Sequence, residues 1–282
     1  MTATARSVEL RAVAQRIADA LPSTAEEVVL TGSVSRGVAD DVSDIEMLIV
    51  TRGELELADC FSLAAACGLT DLGTWGEQGV RTKRVSGYRD GVPVELIWWS
   101  CAYAKTALEA VFAGELSAAA DAIANGVALR TSGLLAAWQA RLRHYPDGLA
   151  RARIEEAALT WGGFAPAGLL TLLRPGDRLA LVERMVDDAA RVVRIVFALN
   201  RVWQPTHKRL AERAAALPCR PERLAERIAE ALTEPDPRRA VLVMTELQAE
   251  TVGLAPDGPN VDRARTWLAE AREILARQQP VP

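Results

Sequence analysis

Hydrophobic positions at three- and four-residue intervals open the chain. Val8, Leu10, Val13, Ile17 and Leu21 fall on one stripe of a helix, and Pro22 stops it. The period then changes. Residues 27–31 read as a short strand, 32–43 as a polar, glycine-containing turn, and Asp44–Thr51 (DIEMLIVT) as a second, largely buried strand. A helix is predicted over 55–67. Two further strands, 82–88 and 92–99, flank Arg89-Asp90-Gly91, and Asp-Gly between apolar runs is a strong hairpin signal.

From Ala102 the texture becomes Ala-, Leu-, Glu- and Arg-rich at helical period. It is broken at Asn125-Gly126, Tyr145-Pro146-Asp147-Gly148, Arg174-Pro175-Gly176, Gln204-Pro205 and Glu234-Pro235-Asp236-Pro237. Met185, Ala189, Val192, Val196, Leu199 and Trp203 mark the most buried helix of this bundle. The pattern predicts an α+β protein, with a domain of helices and strands over 1–110 and an α-helical bundle domain over 111–282. The boundary falls between Trp99 and Ala120, and the active site is expected in a cleft between the two domains.

Composition narrows the chemistry. Half of the 282 residues are hydrophobic and a quarter charged, the balance of a globular protein. No apolar run approaches the ~20 residues that cross a bilayer, and no leader pattern opens the chain, so a cytoplasmic protein without membrane contact is expected. A formal charge of −4 argues against adhesion to long nucleic acid. Cys60, Cys67, Cys101 and Cys219 lack the spacing of a zinc site and read as reduced, buried residues. With only His144 and His207, carboxylates must hold any metal, which favours a hard ion such as Mg²⁺.

Candidate ligands follow the first strand. Gly32 lets a backbone turn approach a ligand closely and the amides beyond it point at anions, so phosphate is the expected guest. Ser33 adds a hydroxyl and Arg36 a fork of charged donors. On the next strand Asp44 and Glu46 are two apart and share a face, with Ile45 and Met47 on the other. Two acids on one face call for a cation, which would also bridge a nucleotide's phosphates. Glu95, inside the apolar run VPVELIWWS, is a third acid, as a further metal ligand or as the base that takes a proton from an acceptor hydroxyl.

These residues carry a resemblance. The run TGSVSRGVADDVSDIEMLIV resembles the signature of the DNA polymerase β superfamily of nucleotidyltransferases, Gly-Ser followed about ten residues later by Asp-x-Asp/Glu. Ser43–Leu48 is similar to the aminoglycoside (kanamycin) nucleotidyltransferases, and the strand bearing Glu95 looks like the family's third-carboxylate strand. The resemblance, over about residues 28–100, implies a small mixed sheet and Mg²⁺ with a nucleoside triphosphate such as ATP. It implies transfer of AMP to a hydroxyl of a small acceptor such as an antibiotic, with release of pyrophosphate. A homodimer is suggested by the kanamycin enzymes. Their general base, a glutamate on the first long helix of the helical domain, aligns with Leu159. Glu155 and Glu156 lie within a turn of it, and Glu156 is the candidate catalytic residue there.

Other features are weaker. Thr206 is read as an N-cap of a helix opening at His207-Lys208-Arg209, with Lys208 a triphosphate contact. Arg201 and His207 fit a loose HEPN ribonuclease pattern, read as coincidence. Trp75, in the loop Gly73–Gly79, is placed to stack on a base or acceptor, or to pack. Asp40 and Asp41 are assigned to shaping their turn. The rival readings are an AMP-transferring antitoxin that modifies a protein, and a non-catalytic nucleotide-binding regulatory module.

Overall fold

The computed structural model describes residues 2–75, 82–115, 117–162, 166–174, 177–206 and 208–277. The chain divides into two compact units, residues 1–144 and 145–282.

In the first unit the elements run α1 (Ala5–Ala20), β1 (Ala25–Leu30), the short α2 (Gly32–Ser35), β2 (Ile45–Thr51), α3 (Leu57–Ala66), β3 (Thr70–Gly73), β4 (Thr82–Arg89) and β5 (Val92–Ser100). They continue through α4 (Cys101–Phe112), α5 (Ser117–Ala124), β6 (Val127–Arg130) and α6 (Leu134–Leu142). The six strands form one mixed sheet in the order β3-β4-β5-β2-β1-β6. Among the described residues only β2 and β5 pair in parallel, and the other neighbouring strands pair antiparallel. Leu10, Ile17, Leu30, Ile45, Met47, Ile49, Val85, Leu96 and Trp98 pack together on one face under α1 and α3. Asp90 and Gly91 take positive φ (53° and 77°), so the predicted Asp-Gly hairpin forms with the left-handed turn that suits twisted strands. Arg16 donates to Asp90 at 2.7 Å and holds that carboxyl below the usual range.

Two strands escaped the sequence pattern. β3 and β6 are four-residue strands at the sheet edges, too short to show a period, and their existence depends on pairing with β4 and β1. The helices α4–α6 also belong to the first unit, so the division falls at 144/145 and not at 110/111. The reason is packing. Trp99 on β5 meets Tyr103 and Trp138 at 5.3 and 6.5 Å between ring centroids. Glu27 on β1, fully buried, accepts from the Ser132 and Leu134 amides at 2.8 and 3.2 Å and caps α6.

The second unit contains α7 (Asp147–Gly162), a 3-10 stretch (Pro166–Leu173), α8 (Arg178–Leu199), α9 (Leu210–Ala215), α10 (Leu224–Thr233), α11 (Pro237–Gly253) and α12 (Pro259–Arg277). Its core gathers Ile154, Trp161, Met185, Val192, Val196, Met244, Leu247, Val261 and Leu268. The stripe expected to be most buried lies on α8, with Trp203 buried just beyond it. Within the core, Trp161 donates to Asp188 at 2.9 Å and Arg184 pairs with the same carboxylate at 2.8 Å. Burial nevertheless pushes the Asp188 carboxyl above its ordinary value.

All four cysteines are unpaired thiols. Cys60 and Cys67 are buried as expected, whereas Cys101 and Cys219 are only half-buried. Burial pushes the Cys60 thiol up to about 12. Among the described residues no helix is long and apolar enough to cross a membrane.

Candidate functional site

The predicted acids meet. The parallel register of β2 with β5 pairs Glu46 with Glu95, and since directly opposed residues share a face, both carboxylates rise from the same side of the sheet. Asp44 immediately precedes β2. One ligand oxygen from each of Asp44, Glu46 and Glu95 lies within 4.8 Å of the others, and all three residues are half-buried. Ile45 and Met47 point into the core beneath, as the pleat requires.

The turn before β2 is built around Glu46. The Thr31 amide and hydroxyl both donate to the Glu46 carbonyl, at 2.9 and 3.2 Å. Gly32 follows at φ +71°, and a Cβ there would stand 2.5 Å from Glu46 Oε2. Glycine is therefore required twice, for the left-handed backbone and for room beside the carboxylate. Ser33 is the next residue on α2. Arg36 pairs with the buried Asp121 at 3.7 Å.

A clasp from the N-terminus fixes the loop between the turn and Asp44. Thr4 caps α1 and donates through its hydroxyl to the Ala39 carbonyl at 2.8 Å, while the buried Ser7 hydroxyl accepts the Ala39 amide at 2.9 Å. The Thr4 amide donates to the Gly37 carbonyl at 3.0 Å. Downstream, the Ser43 hydroxyl donates to Asp40 Oδ1 at 2.8 Å and accepts the Asp40 amide at 2.9 Å, so Asp40 shapes the turn as expected. The cap at Thr4 is legible as a threonine before an amphipathic stripe, but its bond to a loop 35 residues away is not.

An all-carboxylate donor set suits a hard divalent cation and not zinc or copper. Oxygens sharing one Mg²⁺ at about 2.1 Å stand about 3–4 Å apart, so a 4.8 Å cluster closes on one ion by small side-chain rotations. The residues present fit such an ion.

The remaining candidates lie in the second unit. Glu155, on α7, caps α12: its Oε2 accepts the Asn260 amide at 2.9 Å. Glu156 pairs with Arg153 at 3.0 Å, and Leu159 is 48% exposed. The helix expected to open at Thr206 opens at Leu210, because Arg209 takes φ +55° and interrupts it. Lys208 sits in the turn before it. Arg201 donates to Asp147 at 2.9 Å, and its proposed companion His207 lies outside the described residues. So do the Gly79 end of the Trp75 loop, the Pro175-Gly176 break and the tail from Gln278 to Pro282.

A family described as "Domain of unknown function (DUF4037)" matches residues 116–210, about a third of the chain. No curated protein matches. Among solved structures, the chain is similar to a nucleotidyltransferase-like protein from Exiguobacterium sibiricum 255-15. The identity is 17% and the TM-score 0.30, over 96% of this chain and 74% of that one.

Proposed function

We propose that the first unit is a metal-dependent nucleotidyltransferase that moves AMP from ATP to a hydroxyl of a small acceptor. The observation that carries this reading is the meeting of Asp44, Glu46 and Glu95 on one sheet face, beside a glycine turn that only glycine can make. A divalent ion bound there would supply charge neutralisation for the triphosphate. Asp44 and Glu46 hold it. Glu95 adds a third oxygen to the metal site or takes the proton of the acceptor hydroxyl, and Gly32 and Ser33 offer backbone and hydroxyl donors to the phosphates. In the transfer the acceptor oxygen forms a bond to the α-phosphorus and the bond from that phosphorus to the β-phosphate oxygen breaks. Pyrophosphate leaves with the electron pair, and the hydroxyl proton passes to a carboxylate.

Glu155 accepts the Asn260 amide at 2.9 Å, which favours Glu95 over it as the base. The exposed Leu159, where kanamycin enzymes carry their base, favours an acceptor other than an aminoglycoside.

The test is incubation with Mg²⁺, ATP and hydroxylated acceptors, read by mass spectrometry for an AMP adduct. Asp44→Asn and Glu46→Gln are each expected to reduce transfer by about 100-fold or more, in line with loss of preorganised charge stabilisation. Undiminished transfer by both variants overturns the reading.

A further inference from the structure

The strand register puts α5 on the carboxylate side of the sheet. Val29 on β1 lies opposite Leu48 on β2, and Leu48, two residues from Glu46, shares its face. Gly126, just beyond α5, lies against Val29 on that face: a Cβ there would stand 2.6 Å from Val29 Cγ1. Gln139 on α6 fixes the same end of α5 by donating to the Ile123 and Gly126 carbonyls at 3.1 and 2.9 Å. Ala120 and Ile123 are buried, so the helix is seated on the first unit's sheet beside the acids.

The sequence of α5, SAAADAIA, is small and apolar except at its ends and at Asp121. Asp121 is 5% exposed. Asn125, one turn on, donates through Nδ2 to its Oδ1 at 3.0 Å, and Arg36 Nη1 stands 3.7 Å from its Oδ2. A carboxylate withdrawn this far from water requires such partners, so the pair ties α5 to the residue that closes α2.

The turn that Arg36 closes is bonded within itself. The Ser35 hydroxyl donates to the Gly32 carbonyl at 3.0 Å, the Gly37 amide to the Val34 carbonyl at 3.1 Å, and the Val38 amide to the Ser33 carbonyl at 3.0 Å. Residues 32–38 therefore move as one piece, and an anchor at Arg36 is an anchor for Gly32 and Ser33. Thr31 ties the start of the piece to β2, and Thr4 ties Gly37 to α1. Asp121 holds it from α5.

We propose that Asp121 is a positioning residue for the nucleotide: through Arg36 it fixes the Gly32–Ser33 turn beside the carboxylates, so that the donors of the turn and the metal meet one triphosphate. This rests on the transferase reading above. Asp121 acts through Arg36 and stands outside the cluster of Asp44, Glu46 and Glu95. The sign of its effect separates positioning from simple charge. By charge alone a carboxylate near a phosphate site repels the anion, and its removal tightens binding. As an anchor, its removal loosens the turn and weakens binding.

The experiment titrates the full chain, with Mg²⁺ present, against the ATP analogue that carries a methylene between its α- and β-phosphorus atoms. Calorimetry then reads binding without transfer. Asp121→Asn keeps the shape of the side chain and removes its charge, and is expected to weaken the analogue about 10-fold or more, the usual size for losing a residue that orients a ligand-binding group. Mn²⁺ affinity without nucleotide stays at the wild-type level, and Asp121→Glu recovers part of the loss. Asn125→Ala keeps both charges and removes the bond that orients Asp121; it is expected to weaken the analogue about 3-fold, and it decides the matter if thermal melting shows Asp121→Asn to be unfolded.

Unchanged or tighter binding by a folded Asp121→Asn overturns the inference, as does a parallel fall in Mn²⁺ affinity, which marks a general structural role. With Asp121→Asn unfolded, wild-type affinity in Asn125→Ala overturns it equally. A wild-type chain that binds no analogue overturns the transferase reading itself, and the positioning role falls with it.

Discussion

Gly32 is the residue whose replacement is most sharply predicted. An added methyl would stand 2.5 Å from Glu46 Oε2 and force a side chain into left-handed backbone. Gly32→Ala is therefore expected to cost about 1–2 kcal/mol in stability and to displace Glu46. Denaturant unfolding reads the first effect and Mn²⁺ titration the second; wild-type values in both would remove the packing argument. Asp188 carries the pH prediction. Its folded pKa is raised, so the stability it contributes is complete below the unfolded value, about 3.9, and is lost as pH rises through the folded value. Relative to Asp188→Asn, the wild type should lose thermal stability from about pH 4 upward. A Tm difference that does not change with pH contradicts this. At this scale the chain was readable where the rule is local: the two-residue period put Asp44 and Glu46 together. The pairing of Glu46 with Glu95 depends on the register between distant strands, which no local pattern sets.

Elements depend on bonds that cross between them. The buried Ser7 hydroxyl is the acceptor for the Ala39 amide, so Ser7→Ala leaves that amide buried without its partner. The expected cost is about 1–3 kcal/mol. The same change should weaken Mn²⁺ binding, because α1 then releases the loop that leads into Asp44; stability measured by urea titration at wild-type level would rule the clasp out. Long helices and the Asp-Gly hairpin were legible because their signals are contained within them. β3 and β6 were not, since four residues at a sheet edge become a strand only by pairing. The start of α9 was misplaced for a different reason. Arg209 adopts a backbone that non-glycine residues rarely take, and nothing in its neighbours announces it.

Across the whole molecule, each unit encloses its own core. The second draws its core residues from Ile154 to Leu275, and the first keeps Asp44, Glu46, Glu95 and the bonds that fix them within residues 1–144. Expressed separately, residues 145–282 should melt cooperatively as a helical protein, and residues 1–144 should retain Mn²⁺ binding. Non-cooperative melting by circular dichroism, or a first unit that binds no Mn²⁺, would refute this independence. Composition misplaced the boundary because α4–α6 share the Ala- and Leu-rich texture of the bundle; texture reports helix but not the core against which a helix packs. The parallel pairing of β2 with β5 has a consequence for how this chain can change in length. Between Thr51 and Val92 the chain leaves the carboxylate row and returns, and residues gained or lost in its turns need not disturb that row. One residue inserted in β5 ahead of Glu95 would rotate its acid onto the face occupied by Val94 and Leu96. Descendants of this sequence should therefore vary freely in loop length while β5 tolerates no single-residue indel, and a deletion scan scored by Mn²⁺ binding would trace that boundary residue by residue.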